Sequence, residues 1–222
     1  DGIEGSAMTF SEYYRTIEKL LAGELPGKTA QYKMAPRERN LPDKPIKGKT
    51  RYAGVLILLY PLGNQYYTIL IRRSTYNGTH SGQISFPGGQ YEPQDAEITS
   101  TALRETEEEI GISPELVKVI GKLTPLYIPV SNYYVHPFVG ILDAEPTFKK
   151  EPKEVEEIYS VKLESLLDHG CLISDDNIYE NERCIQAPYY HYNHLKIWGA
   201  TAMILSEFIE LHKVVTKQFS DS

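Results

Sequence analysis

Gly88-Gly89-Gln90-Tyr91-Glu92-Pro93-Gln94-Asp95-Ala96-Glu97-Ile98-Thr99-Ser100-Thr101-Ala102-Leu103-Arg104-Glu105-Thr106-Glu107-Glu108-Glu109-Ile110-Gly111-Ile112 joins a glycine turn, a helical pattern and an acidic cluster in one stretch. Glu97 to Ile110 contains neither Pro nor Gly, and Ile98, Ala102, Thr106 and Ile110 recur at steps of four, the spacing of a buried helical stripe. Gly111 and Pro114 then end the helix. Glu105, Glu108 and Glu109 stand at i, i+3 and i+4, so their carboxylates project from one narrow face and repel one another. A charge run of this kind is ordinarily a solvated face. Here Arg104 lies one turn before Glu108, where it can pair with a carboxylate, and the double glycine beside a helix start suits a phosphate. Hard divalent cations choose carboxylate oxygens, and Mg²⁺ commonly joins one or two carboxylates to substrate phosphates.

The segment Arg104 to Ile112 resembles the second half of the Nudix box, Arg-Glu-U-x-Glu-Glu-x-Gly-U with U apolar, and departs from it at Thr106. The box's earlier Gly and Glu fall on Gln90 and Ala96, one residue from Gly89 and Glu97, a register similar to the coenzyme A pyrophosphatase branch. Upstream, Arg73, Ser74, His80, Gly82, Gln83 and Phe86 to Gly89 match that branch's signature, while Asn77 and Gly78 stand where the branch has Leu-Arg. The resemblance covers roughly residues 50 to 215. It implies an α/β fold, the Nudix α/β/α sandwich with a mixed sheet between helices, preceded here by an N-terminal helical extension. It also implies divalent-metal-dependent hydrolysis of a nucleoside diphosphate linked to another moiety, with coenzyme A or a derivative as the favoured substrate. ADP-ribose or a dinucleotide is the alternative substrate. A non-enzymatic nucleotide sensor is a further reading, which the survival of all three metal-face glutamates disfavours.

On this resemblance Glu105, Glu108, Glu109 and Glu154 hold Mg²⁺ or Mn²⁺, Arg104 braces the glutamates, and Glu108 or Glu154 takes the proton of the attacking water. Glu157 is the second choice for the role given to Glu154. Gly88, Gly89, Arg73, His80 and Gln83 face the substrate and its phosphates. If the branch arginine meets a coenzyme A phosphate, Gly78 lacks that contact, and Arg72, Arg73 and Lys33 are the cations that could replace it.

Composition bounds the alternatives. A chain of 222 residues with 41% hydrophobic and 24% charged content can bury one full core, and we expect one domain at 50–217 with an N-terminal extension at 1–49 and a tail at 218–222. The net charge of −7 argues against nucleic acid and is neutral towards a small nucleotide whose phosphates arrive with a metal. No apolar run approaches membrane-spanning length and no leader pattern is present, so a soluble, cytoplasmic protein without a membrane partner is expected, with a homodimer left open. Cys171 and Cys184 flank a polar loop without zinc-ligand spacing and read as free thiols.

Along the chain, Thr9-Phe10-Ser11-Glu12 has capping-box spacing ahead of an amphipathic helix over about 9–23. Residues 27–49 carry Pro36, Pro42 and Pro45 and read as an ordered wrap or a linker. Residues 51–60, 66–73, 116–127 and 133–142 are expected strands, and 168–181 an expected loop. Residues 182–192 and Leu195 to Ala202 resemble the family's closing strand and final helix, with Trp198 as a packing residue. The stripe Ala200, Ile204, Phe208, Leu211 and Val215 marks a helix ending near Lys217. Tyr133 or Tyr134 could stack on a base, although tyrosines more often fill strand faces.

Overall fold

Val55 to Tyr60 has no polar residue on either side, and the reason is that both sides are covered. In the computed structural model, which describes residues 7–37, 44–45, 47–75, 82–167, 174–180 and 183–220, this run lies in β1 (Arg51–Leu62). β1 runs parallel to β7 (Tyr133–Ile141), with Arg51 opposite Tyr133 and Leu59 opposite Ile141, and antiparallel to β2 (Gln65–Arg73). The mixed sheet continues through β3 (Ile84–Ser85) beyond β2 and β5 (Lys118–Lys122) beyond β7. β4 (Gly88–Gln90) also pairs with β1, β6 (Leu126–Ile128) with β7, and β8 (Val155–Lys162) with β2.

Strand alternation divides the core. Leu56, Leu58 and Tyr60 join Ile69, Ile71, Ala102, Ile110 and Phe138 beneath α3 (Ile98–Ile110). Ile57 and Leu59 join Leu70, Val139, Ile141 and Phe208 on the opposite face, where α1 (Phe10–Ala22) and α4 (Gly199–Ser220) lie. Each fully buried aliphatic chain contributes roughly 1.5–3 kcal/mol of hydrophobic stabilisation before entropy is charged against it. The expected α/β/α arrangement, a mixed sheet between helices, is therefore the one observed.

The helix starts follow their sequence signals. Thr9 and Glu12 form the reciprocal capping box of α1, and α3 ends at Gly111, whose φ of 75° is the left-handed conformation glycine adopts without penalty. Departures occur where tertiary pairing decides. The 116–127 run divides into β5 and β6. The expected loop at 168–181 contains β9 (Ser174–Glu180), which pairs antiparallel with β10 (Arg183–Tyr192), itself paired with β11 (Leu195–Ile197). Ser-Asp-Asp-Asn has little strand propensity, and the ladder to β10 overrides it. Residues 27–34 are ordered, as α2 (Gly27–Gln31) and a short 3₁₀ turn that buries Met34. α4 passes Lys217 and continues to Ser220. Cys184 is an exposed free thiol; Cys171 lies outside the described residues. Among the described residues no helix is long and apolar enough to cross a membrane.

Two of the buried polar residues of α4, Glu207 and His212, fix its neighbours. Glu207 accepts the Gly27 amide, the Thr124 amide at 2.8 Å and the Thr124 hydroxyl at 2.7 Å, tying α2 and the segment before β6 to one carboxylate. Glu207→Gln presents one acceptor oxygen to these donors and leaves a buried donor unpaired, so urea unfolding should show a loss of about 1–3 kcal/mol; an unchanged midpoint would contradict this. His212 Nδ1 lies 2.7 Å from the Tyr13 hydroxyl, and burial pushes its imidazole down to about 4. The unfolded chain takes up that proton first, so stability is complete above about pH 6.5 and declines as pH falls towards 4. An NMR titration should place His212 near 4, and a midpoint near 6.5 would contradict the packing.

Candidate active site

The site begins with three backbones pressed together. β4 lies against β1 so closely that a Cβ on Gly88 would meet the Gly54 carbonyl oxygen at 2.3 Å, and Gly88 has φ +155°. A Cβ on Gly89 would lie 2.4 Å from Glu105 Cδ. Glycine is required at both, because the strand must pass between β1 and the carboxylate face of α3.

Glu109 is fully buried, which the i, i+3, i+4 spacing alone does not convey. It accepts the Gly88 amide at 2.9 Å and Arg73 Nη1 at 3.2 Å, while Arg73 Nη2 donates to the Gly88 carbonyl at 2.8 Å. The Gly88 amide, expected to face a phosphate, orients a carboxylate in this arrangement. Burial pushes Glu109 up to about 7, the charges of Glu105 and Glu154 add to the rise, and Arg73 and the Gly88 amide oppose it. Glu105 is also raised, first by burial, with Glu108 and Glu154 acting in the same direction and Arg104 against it.

The glutamates do not share one environment. The Glu105 side chain is 16% exposed and that of Glu108 52%, and both accept Arg104 Nη1 at 3.2 Å. Arg104 bridges them, yet its strongest partner is Asp95, bound through Nε at 2.8 Å and Nη2 at 3.0 Å. Asp95 also accepts the Glu92 amide and the Thr101 hydroxyl, and the Arg104 hydrogen bonds hold it well below the usual carboxylate range. Sequence reasoning missed Asp95. It counted the displaced acid as Glu97, which is exposed at the N-cap of α3 without a side-chain cap bond. The only signal for Asp95 was an acid adjacent to the displaced register.

Part of this group borders a cavity of about 740 Å³, whose lining includes Arg73, Gln83, Gly88, Gly89, Glu105 and Glu154. The backbone carbonyl of Glu154 accepts the Ser74 amide at 2.9 Å, anchoring β8's start beside Arg73. Glu157 is exposed on β8 and is not part of the lining. Glu108 and the buried Glu109 also lie outside the lining. His80, Asn77 and Gly78 lie outside the described residues. Arg72 donates to the Tyr159 hydroxyl at 3.1 Å and Lys33 lies 3.5 Å from Glu210, so neither candidate cation lines the cavity.

Among the described residues no group of three or more His, Cys, Asp or Glu is arranged to hold a metal ion as it stands. The donor chemistry nevertheless fits a hard cation. Two poorly solvated carboxylates, Glu105 and Glu109, feel the charge of a third, Glu154, and their raised affinity for protons is what a divalent ion would relieve.

Residues 50–181 match the NUDIX domain family. A Photorhabdus laumondii protein named an uncharacterized Nudix hydrolase, NudL, is 35% identical over 171 residues, covering 76% of this chain and 89% of the relative. A Yersinia pestis protein of the same name is 38% identical over 141 residues, 62% of this chain and 68% of the relative. In structure, the Nudix hydrolase RenU from M. smegmatis superposes with a TM-score of 0.51 at 12% identity over 73% of this chain and 85% of its own, a likeness of fold. The chain belongs to the Nudix hydrolases.

Asp95→Asn keeps the shape but removes the charge that aligns Arg104. Mn²⁺ affinity should fall about 10- to 100-fold, as for other partners one step removed from a metal, with the circular dichroism spectrum unchanged. Undiminished Mn²⁺ binding would show that Asp95 does not set the glutamates.

Proposed function

We propose that this Nudix hydrolase cleaves the diphosphate of coenzyme A or a derivative. The observation that carries the reading is the composition of one cavity. Glu105, Glu154, Arg73 and the glycine strand stand at one part of its wall, and Tyr32, Ile185, Trp198 and Met203 at others, in a volume of about 740 Å³. That mixture suits a ligand with a diphosphate and a long, weakly polar arm. The upstream signature, Arg73-Ser74 through Phe86-Pro87-Gly88-Gly89, supports the same choice.

Glu105, Glu109 and Glu154 would hold Mg²⁺ or Mn²⁺, with Glu108 at the outer edge. When bound, the ion would neutralise the diphosphate and lower the pKa of water. Arg73 fixes the Glu109 carboxylate, and Arg104, held by Asp95, fixes Glu105 and Glu108. Glu154 is the favoured proton acceptor for the attacking water, because it lines the cavity with Glu105 whereas Glu108 is turned towards Arg104 and solvent. Water attack on phosphorus would give a 4′-phosphopantetheine and adenosine 3′,5′-bisphosphate.

A panel of coenzyme A, ADP-ribose and a diadenosine polyphosphate, assayed with Mg²⁺ or Mn²⁺, should give the highest kcat/KM for coenzyme A. Glu154→Gln should lower kcat by about 10²- to 10⁴-fold with a smaller change in KM. ADP-ribose as the best substrate would overturn the substrate assignment, and near-normal turnover by the variant would overturn the role of Glu154.

A further inference from the structure

We propose that Arg51 is the specificity-determining cation of this cavity and binds a phosphate monoester remote from the cleaved diphosphate, the 3′-phosphate when the substrate is coenzyme A. The inference rests on the substrate reading above and assigns the contact that Gly78 cannot make.

Alternation along β1 places Arg51, Ala53 and Val55 on the cavity side. Among the described residues lining the cavity, Arg51 and Arg73 are the cations. Arg73 is engaged by Glu109 and the Gly88 carbonyl, which leaves Arg51 to answer an anion on the substrate. Its guanidinium carbon lies 4.2 Å from the centroid of the Tyr133 ring, and Nη2 donates to the Ser131 carbonyl at 2.9 Å. The Tyr133 hydroxyl donates in turn to Gln90 Oε1 at 2.7 Å, so the platform under the guanidinium is itself held. A guanidinium has a planar fork of several N–H donors, and one bond to a carbonyl leaves others to bind a phosphate in bidentate fashion.

The position also suits a second phosphate. Gly54 pairs with Gly89, whose Cα abuts Glu105, and Arg51 lies three residues back along β1. Strand rise puts that separation at about 10 Å. A nucleoside carrying a 5′-diphosphate at the glutamates would therefore direct a ribose phosphate towards Arg51, and the side chain's length covers the remainder.

The test compares coenzyme A with dephospho-coenzyme A in the parent, Arg51→Gln and Arg51→Lys. The parent should prefer coenzyme A, through KM and less so as salt is added. Arg51→Gln should lower kcat/KM for coenzyme A by about 10- to 100-fold and for dephospho-coenzyme A by far less, with Arg51→Lys between them. Calorimetry with adenosine 3′,5′-bisphosphate and AMP reads the same contact without turnover: the parent should bind the bisphosphate more tightly, and Arg51→Gln should abolish that difference. Equal losses for both substrates, or a parent that binds the two nucleotides equally, would overturn the role of Arg51. If the parent binds the bisphosphate selectively through Arg51 but hydrolyses neither substrate, the coenzyme A reading falls and the anion contact stands.

Discussion

A carboxylate buried without water must be hydrogen-bonded or must give up its charge, and Glu109 is the place where this protein meets that condition. It receives the Gly88 amide and Arg73, and Arg73 closes the ring on the Gly88 carbonyl. One residue from each of β2, β4 and α3 is thereby locked to the others. The glycine strand must run flush against β1 and α3 for the ring to close, and the absence of Cβ atoms at 88 and 89 permits it. The same burial makes ionisation of Glu109 costly.

Part of the wall around this point comes from outside the span that matches the family. Tyr32, Ala35 and Pro36 belong to the N-terminal segment, and Trp198 to Ile204 to the start of α4 and the residue before it. Glu207 joins the two, since it holds Gly27 from α4 and also Thr124 two residues before β6. The glutamates are thus fixed by α3 and its partners, while the shape of the cavity also depends on chain segments that lie far apart in sequence.

The extent to which the sequence revealed this follows the range of each interaction. The α3 stripe, the Thr9 capping box, the Gly111 stop and the strands at 51–62 and 133–141 are local patterns and were legible. The divided strand at 116–127 and the strand at 174–180 were not, because pairing with partners elsewhere decides them. In the site, helical spacing placed Glu105, Glu108 and Glu109 on one side of α3, but it could not show that packing against β4 buries one of them fully while leaving another half in solvent. Asp95 was hidden because its function depends on a loop that returns it to Arg104. Arg51 was hidden because only the register of β1 with β7 sets it over Tyr133.

Direct titration of Mn²⁺ into the protein at pH 6 and pH 8, repeated in two buffers of different ionisation enthalpy, tests the central claim that the Glu109 ring forms part of a cation site. Glu109 is pushed up to about 7, so binding should be tighter at pH 8, should release protons at pH 6, and should lose both its strength and its proton release in Glu109→Gln. Mn²⁺ binding that is equally tight at both pH values and unaffected by Glu109→Gln, or no binding at all, would contradict it.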